Sequence, residues 1–148
     1  MRQVIAGIVS AGTAGKPCAF AVELRCENMR RAITGGSMCS TPQRQLYRGV
    51  IAALQAIKSP ARVTVYTNAQ WLIKVMRAGA TVAANADLHR EAVAAGAEHI
   101  TSYQWINAFP GAVMLKDLAR QQCTKPLGGD DMGDETTAHT LQMGLFNG

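Results

Sequence analysis

The stretch RVTVYTNAQWLI, residues 62–73, decides the fold of this chain. Its first half, VTVYT (63–67), is short and rich in β-branched residues, which is typical of a buried strand. The strand stops at Asn68, and a helical pattern over residues 69–78 follows at once. A buried strand that runs directly into a helix predicts one repeating unit of a sheet covered by helices.

Three further strands are predicted upstream of this unit. Residues 2–10 form a nearly continuous apolar run, and the turn AGTAGKP follows it. Residues 18–25 alternate between apolar and polar side chains, as a half-buried strand does. Residues 28–36 have the pattern of a third strand. Because Gly- and Pro-rich turns separate such runs, this region predicts an antiparallel meander.

Four helices and one more strand complete the pattern. TPQRQLYRGVIAALQAIK (41–58) predicts a long helix, since Ser40 or Thr41 can cap it and its apolar residues recur on one face. The helix over 69–78 comes next, after the central strand. We then expect a helix over 87–100, a strand over 102–107 and a last helix over 111–123.

The order β-β-β-α-β-α-α-β-α predicts an α/β fold with one mixed five-stranded sheet. Three antiparallel strands come first, parallel strands follow, and helices flank the sheet. Residues 1–123 would form this single domain. From residue 124 the pattern stops, because TKPLGGDDMGDETTAHT has almost no apolar residue. We therefore expect residues 124–148 to be a disordered acidic tail that ends in the peptide QMGLF.

Composition points to a globular protein of the cytoplasm. The chain has 148 residues, of which 48% are hydrophobic, enough for one domain with a proper core. No apolar run reaches the roughly 18 residues that span a membrane, and no cleavable signal pattern is present. The four cysteines lack the spacing of metal ligands, so we expect reduced, mostly buried thiols and no cofactor.

The charges are unevenly distributed along the chain. The net charge is +5, yet residues 1–120 hold fourteen Lys and Arg against six acids, and residues 121–148 hold one against four. A basic body of this kind suggests a polyanionic partner such as nucleic acid. Simple solubility explains the same charge equally well.

Four stretches resemble ribonuclease H of the bacterial type. TPQRQLYRGVIAALQAIK is similar to the family helix that begins with Thr, two polar residues and Arg. RVTVYTNAQWLIKVM is similar to its strand–turn–helix with the turn Thr-Asp-Ser-Gln. NADLHREAVAAGAEHITSYQWIN resembles its Asn-x-Asp-Leu helix and Trp-centred strand, and KDLARQQ the start of its final helix. The resemblance covers residues 3–122 and implies the ribonuclease H fold.

The resemblance also implies an activity, the cutting of the RNA strand of an RNA–DNA hybrid by two divalent metals held by four carboxylates. The matching positions here are Ala11, Leu46, Asn68 and Lys116. No acidic residue occurs in residues 1–22 or 28–86, and the histidine-bearing loop of the family reads NAFPGA. We therefore predict that the chain is not an enzyme, has no catalytic residue and binds no metal.

Two alternatives to this inactive binding protein remain open. One is a metal-dependent nuclease whose acidic residues have moved. The acids of the folded domain that such an enzyme could use are Glu23, Asp87, Glu91 and Asp117. The other is a scaffold that binds only proteins, with its basic residues serving solubility.

Several positions that the resemblance associates with nucleic acid persist. Thr41 and Arg44 match the helix start that contacts the phosphate backbone, and Gln70 matches an amide that reaches the groove. Thr41 is equally explained as a helix cap, and the other two as ordinary surface residues. Further basic candidates on the same two helices are Arg48, Lys74 and Arg77. The basic segment that follows the second helix in the family is neutral here (RAGATVAANA), so hybrid affinity should be weak.

The C-terminal peptide gives a second candidate partner. Gln142, Leu145 and Phe146, with Met143 between them, fit the Gln-x-x-Leu-Phe pattern of peptides that dock on the bacterial sliding clamp. Docking there would recruit the chain to replication machinery and would suit a plasmid, phage or integrative element. Alternatively, the segment folds back over a hydrophobic groove of its own domain, or binds another protein.

The remaining aromatic residues and histidines receive structural interpretations. Trp71 and Trp105 are expected in the core or on the sheet face, with base stacking as the less favoured role. His89 and His99 lie on or near a predicted helix and are expected to face solvent rather than to act in catalysis.

Overall fold

The computed structural model describes residues 1–79 and 84–124, and the backbone of residues 137–143. A short 3₁₀ turn, Ile106–Ala108, joins the fifth strand to the last helix. None of the helices in these ranges is long and apolar enough to cross a membrane. The elements in chain order are β1 (Arg2–Gly12), β2 (Lys16–Cys26), β3 (Met29–Ser40), α1 (Pro42–Ala56), β4 (Ala61–Thr67), α2 (Gln70–Ala78), α3 (Ala86–Gly96), β5 (Ile100–Trp105), α4 (Ala112–Cys123) and β6 (Thr137–Met143).

The sheet is mixed, as the sequence predicts. Its strand order is β5-β4-β1-β2-β3-β6. β2 pairs antiparallel with both β1 and β3, whereas β4 is parallel to β1 and β5 is parallel to β4. The prediction of three antiparallel strands followed by parallel ones is therefore confirmed. The third strand is longer than expected and ends at Ser40.

A sixth strand lies within the segment for which the sequence predicts a disordered tail. β6 pairs antiparallel with β3, from Thr137 opposite Gly36 to Met143 opposite Arg30. The free edge of β3 offers unpaired backbone groups, and a short segment with little apolar character can still satisfy them. The expected disorder does not hold for these residues. The rest of the predicted tail beyond Thr124, including Leu145 and Phe146, lies outside the described residues.

The larger part of the core lies between the sheet and α1. Ile8 of β1, Phe20 of β2 and Leu46 of α1 are at most 1% exposed. Gly49 permits the close approach of the helix, because a Cβ atom there would lie 2.8 Å from Cγ2 of Ile8. The first helical position is Pro42, as the sequence predicts.

A smaller cluster lies on the opposite face of the sheet, under α4. Phe109, just before α4, packs over Gly7 of β1, where a Cβ atom would lie 2.6 Å from the Phe109 ring. Val9, Leu115 and Ala119 complete the centre of this cluster. The sheet is thus covered on both faces, which explains why β1 reads as a nearly continuous apolar run.

Glu23 of β2 is the one buried acid in the described part of the chain, with a side chain 8% exposed. The Arg25 Nε atom donates a hydrogen bond to one carboxylate oxygen, and the Arg30 Nη2 atom donates to the other at 2.8 Å. Arg25 also lies over the Phe109 ring, 5.3 Å from its centroid. Two cations therefore compensate the buried carboxylate, as burial of a charge requires.

Candidate nucleic-acid interface

The carboxyl ends of several strands meet at one edge of the sheet. β4 and β5 run in the same direction as β1, so their last residues, Thr67 and Trp105, lie on the side where β1 ends. α1 begins directly after β3, and α2 begins directly after β4. We call this side, with the first turns of α1 and α2, the carboxyl edge. It holds five of the predicted site positions, namely Ala11, Thr41, Arg44, Asn68 and Gln70.

Thr41 caps α1 at the carboxyl edge. Its Oγ1 atom accepts a hydrogen bond from the backbone N–H of Arg44 at 3.1 Å, and its own backbone is extended. This geometry satisfies one of the N–H groups that a helix start leaves unpaired. The structural explanation of Thr41 is therefore sufficient, and a contact with phosphate stays a prediction.

Arg44 connects α1 to the start of α3. Its side chain is only 12% exposed. Nη1 donates to Oδ1 of Asn85 at 3.3 Å, and Nη2 donates to Oδ2 of Asp87 at 3.5 Å. Asn85, at φ 56°, adopts the left-handed conformation that asparagine tolerates better than most residues. Arg44 therefore positions the third helix, whatever else it binds.

The charge of Arg44 also changes the ionisation of Asp87. Burial alone would raise the pKa of Asp87. Hydrogen bonds from the Leu88 backbone and from Arg44, together with the Arg44 charge, outweigh burial and hold the pKa below its ordinary value. Asp87 is therefore a carboxylate at neutral pH.

Arg77 makes an equivalent connection at the far end of α2. Its Nε and Nη2 atoms both donate to the backbone oxygen of Tyr103, at 3.0 and 2.7 Å, and Nη2 reaches Oε1 of Gln104 at 3.4 Å. This arginine holds α2 against β5. It lies seven residues beyond Gln70, about 10 Å along the helix axis, and its partners are within two residues of the carboxyl end of β5.

Gln70 and Lys74, unlike Arg44 and Arg77, do not connect α2 to a neighbouring element. Both side chains are exposed, and four residues of helix separate them, so they lie on one face of α2. Neither side chain makes a hydrogen bond or ion pair with any residue that the structure describes. Asn68 is exposed beside them. Gln70 and Lys74 are therefore the predicted nucleic-acid residues whose exposed polar groups are not used to hold the fold together.

Trp71 extends this face of α2 with an aromatic surface. It is 36% exposed and packs against Tyr47 of α1, with ring centroids 5.5 Å apart. Trp105, at the end of β5, is 41% exposed. The expectation that both lie in the core or on the sheet face is therefore only partly met, because each ring also reaches solvent at or near the carboxyl edge.

His89 departs from its prediction. It is 8% exposed rather than solvent-facing, and its Nδ1 atom lies 3.0 Å from the Tyr47 hydroxyl, with which it shares a hydrogen bond. His89 follows Leu88, which is also buried. The sequence alone does not show that the Tyr47 hydroxyl would be the hydrogen-bond partner of the buried imidazole. His99 accepts a hydrogen bond from the backbone N–H of Ala61 at 3.1 Å and is half-buried.

The four positions that the resemblance associates with metal ligands do not fit a two-metal centre. Leu46 is 1% exposed within the core, Ala11 has no ligand atom, and Lys116 is a cation. Only the amide of Asn68 could offer an oxygen. Among the described residues, no group of three or more His, Cys, Asp or Glu could hold a metal ion.

The four acids that a nuclease with moved acidic residues could use lie in different parts of the structure. Glu23 is held by Arg25 and Arg30 in the sheet, and Asp117 pairs on the surface of α4 with Arg120 at 2.8 Å. Glu91 is exposed on α3, one turn beyond Asp87. Only Asp87 lies at the carboxyl edge, beside Arg44.

Comparison with known proteins agrees with this fold. No protein-family model matches the chain. The chain is 28% identical over 109 residues to Ribonuclease H of Nitratidesulfovibrio vulgaris, which covers 64% of this chain and 70% of the relative. Among solved structures, LC9-RNase H1, a type 1 RNase H with the type 2 active-site motif, matches with a TM-score of 0.70 at 19% identity, over 97% of this chain and 79% of that one. LC11-RNase H1 in complex with RNA/DNA hybrid matches with a TM-score of 0.64 at 11% identity, over 82% and 97%.

The chain therefore has the ribonuclease H fold, and its sequence is similar to that of Ribonuclease H, as the sequence predicts. The same comparison contradicts our prediction that the chain is not an enzyme, because the relative bears the name of an enzyme. The physical reason is that Ala11, Leu46, Asn68 and Lys116 exclude only one arrangement of ligands. A missing carboxylate at those positions does not exclude a different arrangement of groups on the same fold.

The contact between Arg44 and Asp87 gives a first testable prediction. Arg44→Ala should lower the free energy of unfolding by about 1 kcal/mol, because Asn85 and Asp87 lose their partner while Asp87 stays largely hydrated. Urea unfolding measures this difference. Arg90→Ala, which removes an exposed arginine from α3, is the control and should change stability by less than about 0.5 kcal/mol.

The same contact should depend on pH with a defined sign. Because the pKa of Asp87 is lowered in the folded chain, its stabilising contribution is complete above the ordinary aspartate pKa of about 4 and is lost as the pH falls through the lowered value. The stability difference between the unsubstituted chain and Arg44→Ala should therefore shrink below about pH 4. Equal losses in Arg44→Ala and Arg90→Ala at neutral pH would contradict this role of Arg44.

Proposed function

We propose that this ribonuclease H-like chain binds RNA/DNA hybrid at its carboxyl edge, across the first turns of α1 and α2. The observation that carries the proposal is the exposed face of α2, where Gln70 and Lys74 point to solvent beside Trp71. The similar fold of LC11-RNase H1, which is in complex with RNA/DNA hybrid, supports the choice of this duplex.

Each of these three side chains offers a different contact to a duplex. The Gln70 amide can donate and accept hydrogen bonds at base edges or sugar hydroxyls in a groove. Lys74 supplies a point charge for a phosphate. The exposed part of the Trp71 ring offers an apolar surface on which a sugar or a base can pack.

The overall charge favours the same ligand. Residues 1–120 carry a surplus of eight positive charges, and neutralisation of phosphates by cations supplies much of the affinity for nucleic acid. Two of the cations, Arg44 and Arg77, already hold neighbouring elements together. We therefore assign the direct contacts to Gln70 and Lys74, and to Arg44 the task of keeping α3 in place beside them.

Hydrolysis of the bound RNA strand is the second candidate function. The observation in its favour is the name ribonuclease H of the relative. Asp87 is the acid that lies at the carboxyl edge, and it is ionised at neutral pH because hydrogen bonds and the Arg44 charge lower its pKa. It is therefore the described residue to test for a catalytic role.

A matched pair of double variants tests the binding proposal. Gln70→Ala/Lys74→Ala should weaken binding of a fluorescent RNA/DNA hybrid about tenfold at moderate salt, and should lower the dependence of log Kd on log salt by about one phosphate contact. Gln3→Ala/Lys58→Ala removes one exposed amide and one exposed lysine from the opposite edge of the sheet. This control should change Kd by less than about twofold. Absence of binding at low salt, or a larger loss in the control, would refute the proposal.

The second candidate needs a separate measurement of cleavage. With hybrid labelled in its RNA strand and Mg²⁺ or Mn²⁺ in the buffer, Asp87→Asn should reduce the cleavage rate at least about a hundredfold while Kd changes little, if Asp87 acts in the reaction. Glu98→Gln, an exposed acid near the end of α3, is the control. A cleavage rate unchanged by Asp87→Asn would remove this residue from the reaction and leave the binding proposal untouched.

We further propose that the C-terminal peptide recruits the chain to the bacterial sliding clamp. The observation in favour is the Gln142-x-x-Leu145-Phe146 pattern. The backbone of Gln142 and Met143 pairs with β3, opposite Arg31 and Arg30. Because β6 is the outermost strand, its end can leave the sheet at the expense of pairing with one neighbour only.

Pull-down with purified clamp tests this recruitment. Leu145→Ala/Phe146→Ala removes the two side chains that would fill an apolar pocket and should reduce capture at least about tenfold. Asn147→Ala, outside the pattern, should leave capture unchanged. If deletion of residues 144–148 leaves clamp binding intact, the peptide is not the docking element, and its place is on its own domain or on another protein.

A further inference from the structure

A cavity of about 280 Å³ lies between α2, α3 and β5. The second half of α2, most of α3 and two residues of β5 line it, and its lining includes neither Gln70 nor Lys74. Its walls are mostly aliphatic. The side chains that matter for its chemistry are Val75, Met76, His89, Ala92, Val93 and Tyr103.

Two polar groups of residues that line this cavity have no hydrogen-bond partner within residues 1–79 and 84–124. Tyr103 is 4% exposed, and its hydroxyl makes no hydrogen bond with any residue in the described ranges. His89 is 8% exposed and uses Nδ1 for Tyr47, whereas its Nε2 atom makes no hydrogen bond within the same ranges. Neither atom is among the fully enclosed polar atoms that lack a partner. Both residues line the cavity.

This arrangement differs from an ordinary packing defect. Buried polar groups are nearly always paired, because leaving one unpaired in an apolar site costs free energy. A packing defect would be lined by apolar atoms alone and would stay dry. Here His89, Thr101 and Tyr103 line an otherwise apolar space, which is the composition of a small-molecule site.

The lining defines the class of ligand. None of the lining residues carries Lys, Arg, Asp or Glu side chains, so a charged ligand would lose its hydration without compensation. Burial raises the pKa of the Tyr103 hydroxyl, which keeps it protonated and able to donate. His89 Nε2 can donate or accept, depending on its tautomer. The volume lies just below the range of about 300–1,000 Å³ that is typical of ligand pockets.

We propose that this cavity binds a small, neutral, largely apolar organic molecule of the size of one or two fused rings, which accepts a hydrogen bond from the Tyr103 hydroxyl. His89 Nε2 supplies a second polar contact. The site is independent of hybrid binding, because its lining contains neither Gln70 nor Lys74. Its ligand class follows from the uncharged apolar walls and the unpaired hydroxyl.

Quinoline is a suitable probe, because it is a neutral bicyclic ring at pH 7 with one accepting nitrogen. Titration of the full ¹⁵N-labelled chain should shift the amide signals of Val75, Ala92 and Thr101, which surround the cavity, and yield a Kd. Tyr103→Phe removes only the hydroxyl and should weaken quinoline about fivefold, the value of one neutral hydrogen bond. The charged 2-naphthoate should bind at least tenfold more weakly than quinoline.

A second variant tests the cavity independently, in case Tyr103→Phe disturbs folding. Ala97 is exposed at the rim of the cavity, and Ala97→Phe should block entry and abolish the quinoline shifts. Ala94→Phe places the same ring on an exposed position of α3 that does not line the cavity and should leave Kd unchanged. Equal quinoline affinity in the unsubstituted chain, Tyr103→Phe and Ala97→Phe would overturn the proposal, as would the absence of any shift near the cavity.

Discussion

The parallel pairing of β1 with β4 is the constraint on which the rest of the structure depends. The two strands run side by side from Arg2 opposite Ala61 to Ile8 opposite Thr67. A parallel pair needs a crossover connection, which here runs through β2, β3 and α1, and α1 returns the chain from β3 to β4 across one face of the sheet. As a result α1 and α2 both begin at the edge where β1 and β4 end. The carboxyl edge therefore follows from strand direction before any polar side chain is considered.

The polar residues at and near this edge divide into two groups. Thr41, Arg44 and Arg77 satisfy backbone groups or neighbouring side chains, and they fix the position of α1, α3 and β5. Gln70 and Lys74 make no such contact with the described part of the chain. A count of basic residues therefore overstates the surface available to a polyanion, since an arginine that holds two elements together cannot give all of its donors to a phosphate. The proposed contacts rest on the second group.

Much of the fold is readable from local sequence because local physics determines it. VTVYT is β-branched and buried, Thr41 and Pro42 start α1, and the apolar run of β1 reflects a strand covered on both faces. The sequence does not predict β6, because a short, largely polar segment forms a strand only when the free edge of a neighbouring strand, here β3, can pair with its backbone. That information lies in the partner strand.

The candidate site is less accessible to sequence reasoning than the fold. The position of Gln70 follows from the strand–turn–helix pattern, but the partners of Arg44 and Arg77 are 41 and 26 residues away along the chain. The burial of His89 depends on the hydroxyl of Tyr47, 42 residues away. The prediction that the chain is not an enzyme failed for a related reason. It assumed that the fold can catalyse a reaction only with carboxylates at one set of positions. The relative named Ribonuclease H contradicts the resulting prediction.

Amide chemical-shift mapping with an RNA/DNA hybrid would test the central claim most directly, because it locates the contact surface without substitutions. The account predicts that the largest shifts fall on Asn68, Gln70 and Lys74, at the carboxyl edge and along the exposed face of α2. Shifts concentrated instead on Gln3, Lys58 and Arg62, at the opposite edge of the sheet, would contradict it.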